Sequence, residues 1–240
     1  MDKGDGRVGE ELDFERAWLG KLSTHLDEIT GEQIRKQVLQ GSEALTSESP
    51  RATVVDWTRG GMERLDSLVE EGDRRAILAG CACLYPMDAL QEMRKAYQET
   101  GDISLAHDML QGQFESFLRD TLHLDDGVVA AIVERGWGSA GVKRGGTIIA
   151  TKIPKSDFLL EYIRETDPAR KRALYCHCPR IRDALLSSVA ISATYCYCGA
   201  GFYKGIWEEI LQQPVKVELL ETVLKGDEVC KFAVYLPSGL

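Results

Sequence analysis

Apolar residues at Leu12, Ala17, Leu19, Leu22 and Leu26 recur mostly every three or four positions, the spacing that lines one face of a helix. The stripe resumes after Gly31 with Ile34, Val38 and Leu39. A polar stretch from Gly41 to Arg51, with Ser, Thr and Pro, reads as a linker. A second helical pattern covers about Val54 to Val69, with Trp57, Leu65, Leu68 and Val69 on one side, and three more are predicted at Met87–Gln98, Ser104–Leu118 and Gly127–Arg135. Near Gly136 the pattern changes. Glycines at 138, 141, 145 and 146 break helix, and the run from Thr147 to Ile153 is β-branched and strand-like. A short helix is expected around Asp157–Arg164, an extended run over Ala173–Cys178, a helix from Pro179 through Leu186, and another from about Phe202 to Leu211. The runs Val215–Leu224 and Glu228–Leu236 flank Lys225-Gly226-Asp227 as a β-hairpin.

The expected class is therefore α+β, a helical N-terminal half packed with a C-terminal twisted antiparallel sheet and helices. Three segments follow: a helical segment and linker over 1–52, a helical region over 53–136, and a cysteine-rich α+β region over 137–240 that forms one unit with the region before it.

Charge and length narrow the function classes. The chain has 240 residues and a formal charge of −9, which argues against a nucleic-acid partner. Clusters at Arg74-Arg75, Lys143-Arg144 and Arg170-Lys171-Arg172 leave room for a local basic pocket, although solvated loop charge explains them as well. No apolar stretch approaches the roughly 20 residues of a membrane helix, so no membrane is expected. The tail Met1–Glu11 is charged and Gly-rich and carries no secretory signal, which points to the cytoplasm. In that compartment the seven cysteines are thiols or metal ligands rather than structural disulfides.

Four of those cysteines form two Cys-X-Cys pairs in similar frames, Tyr175-Cys176-His177-Cys178 and Tyr195-Cys196-Tyr197-Cys198, and Cys230 follows in the last strand-like run. On extended backbone, side chains two apart share a face, so each pair can address one ion or one substrate. Cys176, Cys178, Cys196, Cys198 and Cys230 are thus candidate ligands for zinc or iron, including an iron–sulfur cluster. The bland alternative is that some are small buried hydrophobes. Cys196 and Cys198 are candidate nucleophiles with His177 as a base. Gly199 and Gly201 are expected to open a helix whose N–H groups favour an anionic group and a lowered thiol pKa. Tyr197, Tyr203 and Trp207, with Tyr175 and Tyr195, can wall a ligand pocket or simply fill a core. Cys81-Ala82-Cys83 repeats the spacing at a helix junction, where it joins the site or stays buried and inert. His107 and His123 read as ordinary core or surface histidines.

The block from Tyr195 to Trp207, through Pro214–Glu218, to Leu224–Phe232 resembles the 4-vinyl reductase type of ligand-binding domain and the related L-2-amino-thiazoline-4-carboxylic acid hydrolase-like family. The resemblance covers about residues 171–236. It implies helices packed on a twisted antiparallel sheet and, in the sensor domains, a zinc ion held by cysteines and a glutamate. Cys230 matches the ligand in the last strand and Cys196 the upstream one, while Thr222 stands where a cysteine is expected and Glu218 and Glu221 lie nearby. The hydrolase-like relatives imply a small sulfur- or nitrogen-containing substrate. The leading expectation is an enzyme that hydrolyses a C–N bond at a metal-bound or activated cysteine. The alternatives are a ligand-binding sensor module with structural zinc and a metal- or cofactor-handling protein. The helical half can also offer a homodimer face.

Overall fold

A computed structural model describes residues 13–237; the tail Met1–Glu11 and Leu12 lie outside the described residues. Asp13 caps the first helix, α1 (Phe14–Thr30), by accepting from Arg16 N at 3.0 Å, and Gly31 at φ 84° separates it from α2 (Glu32–Leu39). The polar stretch after α2 is tied down rather than loose. Ser47 donates to Asp13 from both its backbone N and its hydroxyl, and Leu45 is buried. Next come α3 (Arg51–Leu68), α4 (Glu71–Gly80), α5 (Gln91–Thr100), α6 (Ile103–Ser116) and α7 (Asp126–Glu134). A π-helical turn, Phe117–Thr121, extends α6. The C-terminal half contributes β1 (Val142–Arg144), β2 (Thr147–Thr151), α8 (Leu159–Arg164), α9 (Pro168–Tyr175), α10 (Pro179–Leu186), α11 (Tyr197–Leu211), β3 (Lys216–Glu221) and β4 (Lys231–Tyr235).

The protein is α+β. Its four strands form one antiparallel sheet in the order β1-β2-β4-β3, with Thr151 opposite Lys231 and Val217 opposite Val234. Strand alternation turns Ile148, Ala150, Phe232 and Val234 inward, and all four are buried. Against this face lies α11, which also packs on α4 and α5. Closest approach to α4 falls at Gly201, where an added Cβ would sit 1.9 Å from Ala79 O, so only glycine allows the two backbones to meet. The buried core runs without a break from Trp18 in α1 to Val234 in β4. An ion-pair network also joins α1, α3 and α10: buried Glu15 accepts from Arg180 Nε at 2.6 Å and from Arg51 at 2.8 Å, while Arg51 reaches Asp183 at 2.6 Å. Among the described residues no helix is long and apolar enough to cross a membrane.

Two local expectations change. Ala173–Cys178 is not one extended run: Asp167 caps α9 by accepting from Arg170 N at 2.7 Å, Pro168 opens it, and the helix continues to Tyr175. Gly199 and Gly201 do not precede the last helix but lie inside it. A 3-10 turn, Ala193–Cys196, leads directly into α11, making Cys196 its N-cap residue and placing Cys198 in its first turn.

Candidate functional site

A cavity of about 540 Å³ opens between α1, the α4–α5 connection, α6, the end of β2, the α9–α10 junction, the start of α11 and the start of β4. Six of the seven cysteines line it: Cys83, Cys176, Cys178, Cys196, Cys198 and Cys230. Its apolar wall comes from Trp18, Phe114, Phe117, Phe202, Tyr203 and Phe232. A chain of stacked groups supports one side. The Arg180 guanidinium lies 4.0 Å from the Trp18 ring, Trp18 stacks on Tyr195 at 5.2 Å, and the Tyr195 hydroxyl contacts Cys178 Sγ at 3.2 Å.

The cysteine motifs split across two clusters. In the first, Cys230 Sγ donates to the Thr222 hydroxyl at 3.9 Å, and that hydroxyl donates to Cys196 Sγ at 2.9 Å. Cys176 lies close enough to feel both. In the second, Cys178 is engaged by Tyr195, and Cys198 donates to Cys81 O at 3.3 Å beside the Trp18 indole. Each motif therefore sends one sulfur to each cluster. Backbone contacts fix the first cluster in place. Cys230 N donates to the Tyr175 hydroxyl at 2.9 Å, Tyr175 donates in turn to Lys152 O, and Lys152 N donates to Cys230 O at 3.0 Å.

Electrostatics separate the thiols. Its neighbour Cys196 pulls Cys230 down to about 7 against its burial, helped by the Val223 N–H and Lys152. Its partner moves the other way: the neighbouring Cys230 and burial raise Cys196 well above an ordinary thiol. The two sulfurs titrate as a pair, and the lower value falls on Cys230. Burial raises Cys176 and pushes Cys198 up to about 12, so both stay neutral. Within the cavity wall, among the described residues, Lys152 is the one side chain with a fixed charge, and it makes no ion pair there. His177 donates Nε2–H to Ile153 O at 2.8 Å, and burial and Lys152 push it down to about 3, so it remains neutral and weakly basic.

The remaining sequence candidates fall on both sides of the cavity wall. Gly199 lines the cavity, where a Cβ would meet Phe232 at 2.8 Å, and Tyr203 lines it while donating to Gly138 O at 3.2 Å. Gly201 faces α4, Tyr197 lies under the Arg75 guanidinium at 5.2 Å, and Trp207 is fully buried against His107. None of these three lines the cavity. Cys81 is buried and donates to Ile77 O, whereas Cys83 reaches the cavity. Sequence reasoning missed Lys152, and a signal was present. Ile148, Ala150 and Lys152 alternate on the inward face of β2 and its extension, so a lysine occupies a position where periodicity calls for an apolar residue.

Three positions singled out by the resemblance, Cys196, Thr222 and Cys230, meet in the first cluster. They supply two sulfurs and a hydroxyl, fewer than the four ligands of a closed zinc site. Among the described residues no three His, Cys, Asp or Glu side chains are placed to hold one ion. A family model described as a family of unknown function (DUF6144) matches residues 169–238, a span holding both Cys-X-Cys motifs and Cys230 but neither Lys152 nor α1. No curated protein and no solved structure matches the chain.

Proposed function

We propose that this chain is an enzyme that hydrolyses a C–N bond in a small organic molecule carrying an anionic group, with Cys230 as nucleophile. One observation carries the reading: the Cys196–Thr222–Cys230 cluster opens into an aromatic-walled cavity beside Lys152, which makes no ion pair among the described residues. At roughly 30 Å³ per water-sized group, about 540 Å³ admits a ligand on the order of 20 non-hydrogen atoms. Lys152 draws the anionic group, and the aromatic walls hold the apolar part and exclude water. Cys230 thiolate attacks the carbon of the C–N unit, forming C–S; the C–N bond then breaks and the amine leaves with the proton of Cys196. Water attacks the acyl carbon, its hydrogen returns to Cys196, the C–S bond breaks, and Cys230 is again the thiolate. The carboxylic acid releases its proton to solvent.

A second reading is a carrier or sensor that holds such a ligand without turnover, and the predominantly apolar lining favours it. Alkylation of the reduced native protein by iodoacetamide at neutral pH, with peptide-level rates and zinc and iron content measured together, separates the readings. The enzyme reading expects one fast thiol, Cys230, and loss of that fast phase in Cys230→Ser. Uniformly slow thiols in metal-free protein leave the carrier. Stoichiometric metal with Cys196 and Cys230 protected replaces the nucleophile with a metal site.

A further inference from the structure

We propose that Cys196 and Cys230 form a reversible two-electron couple that closes to a disulfide when a hydroperoxide enters the cavity. This extends the preceding reading, because it uses Cys230 as the reactive sulfur. The choice of pair follows from the contacts. Cys196 and Cys230 are bridged by one hydroxyl, Thr222 Oγ1, which donates to Cys196 Sγ at 2.9 Å and accepts from Cys230 Sγ at 3.9 Å. Two other cavity thiols are held elsewhere, Cys178 by the Tyr195 hydroxyl and Cys198 by the Cys81 carbonyl, while Cys176 lies in the same cluster and is the competing partner for Cys230. Cys196 sits at the N-cap of α11 and Cys230 just before β4, so the two sulfurs meet across a helix–strand junction rather than along one segment. Apolar walls suit an alkyl or aryl hydroperoxide, and Lys152 faces the oxygen that leaves with negative charge.

The chemistry balances. Cys230 sulfur attacks the outer peroxide oxygen, the O–O bond breaks, and the alkoxide takes a proton and leaves as an alcohol. Cys196 sulfur then attacks the Cys230 sulfenic acid, the S–S bond forms, and hydroxide takes a proton and leaves as water. Counted from two neutral thiols, two electrons and two protons pass to the peroxide, giving one disulfide, one alcohol and one water. An external thiol reverses the bond by exchange.

The test treats reduced full-length protein with one equivalent of cumene hydroperoxide and maps the product by mass spectrometry. Trypsin releases Cys230 in the segment Gly226–Lys231 and Cys196 in Asp183–Lys204, which also contains Cys198, so Cys198→Ser protein is mapped in parallel. The expected product is two hydrogens lighter, links these two segments in both proteins, and is restored by dithiothreitol. In Cys196→Ser the oxidation is expected to stop at a Cys230 sulfenic acid that dimedone traps. A link from Cys230 to the Ala173–Arg180 segment that holds Cys176, a link between Cys178 and Cys198, or two free thiols at Cys196 and Cys230 after the peroxide is consumed, overturns the proposal. If Cys230 alkylates fast in the reduced protein but no link forms, this inference alone fails. If Cys230 is also slow to alkylate, the nucleophile assignment fails with it.

Discussion

Gly201 and Gly205 stand one helical turn apart in α11, and replacing each by alanine should move stability in opposite directions. Alanine in a helix interior is worth about 0.5–1 kcal/mol over glycine through backbone entropy alone. At Gly205 nothing lies within 4 Å of the new Cβ, so that gain should appear intact. At Gly201 the Cβ would lie 1.9 Å from Ala79 O, 2.6 Å from its carbonyl carbon and 2.8 Å from its Cα. All three are backbone atoms of α4, so no rotamer relieves the contact; the helices must separate by about 1 Å or more. Overpacking of this kind costs about 1–3 kcal/mol, and a backbone-on-backbone clash belongs at the upper end. After subtracting the alanine gain, Gly201→Ala should lose about 2 kcal/mol, or roughly 4–8 °C in Tm, at about 2–4 °C per kcal/mol for a chain of this size. Gly205→Ala should gain a few degrees. Calorimetry and urea unfolding on both variants provide the check. The same separation should disturb the site, because the Cys198 thiol donates to Cys81 O across the α11–α4 contact. A neutral or stabilised Gly201→Ala protein would refute the packing argument and the placement of α11 that rests on it.

Three further outcomes follow from the electrostatics. Lys152→Met should slow alkylation of Cys230 at neutral pH by about five-fold, from on the order of 1 kcal/mol of lost charge attraction, whereas Lys155→Met, paired with Asp157 outside the cavity wall, should leave it unchanged; equal effects would remove Lys152 from the site. His177 is held neutral down to about 3, so below its unfolded value near 6.5 the unfolded chain binds a proton that the folded chain does not. Stability should therefore fall as pH drops from about 6.5, with a slope of up to about 1.4 kcal/mol per pH unit from this group, and His177→Gln should flatten that slope in urea unfolding; an unchanged slope would show that the group ionises freely in the folded state. Glu15→Gln should destabilise by about 3–5 kcal/mol, because it leaves the fully buried Arg180 charge without its carboxylate, and a loss under 1 kcal/mol would refute that accounting.

The sequence pattern made the α+β order legible, because its signals are local. The three- and four-residue stripe of α1, the β-branched run of β2 and the Gly226 turn of the β3–β4 hairpin each declare themselves within a few residues. What failed locally was also local in cause. The run Ala173–Cys178 has the apolar residues of a strand, yet Asp167 and Pro168 start a helix upstream and carry it through Tyr175. The expected start of α11 near Phe202, with Gly199 and Gly201 opening it, falls five residues after its actual start at Tyr197. In the fold both are needed for close contact, one with the Phe232 ring and the other with the α4 backbone.

The site was less legible, since sulfur spacing does not determine sulfur pairing. Two identical Cys-X-Cys motifs suggest that each acts as a unit, which holds only if both lie on extended backbone. Cys176 and Cys178 bracket the turn between α9 and α10, both on extended backbone, while Cys196 and Cys198 straddle a 3-10-to-helix transition, and in each pair the two sulfurs end in different clusters. One sulfur of each motif then meets residues far away in sequence: Cys196 meets Thr222 and Cys230, and Cys178 meets Tyr195 on the Trp18 stack. The charge that distinguishes the first cluster comes from Lys152, at the end of a strand that is otherwise apolar on its inner face. Burial alone would make all these thiols inert, as it does Cys176 and Cys198. Cys230 is lowered instead, because its neighbour Cys196, the Val223 N–H and Lys152 together outweigh the cost of burying its charge. Reactivity at this cavity thus depends less on the number of its cysteines than on which one the surrounding donors and cation stabilise as the thiolate.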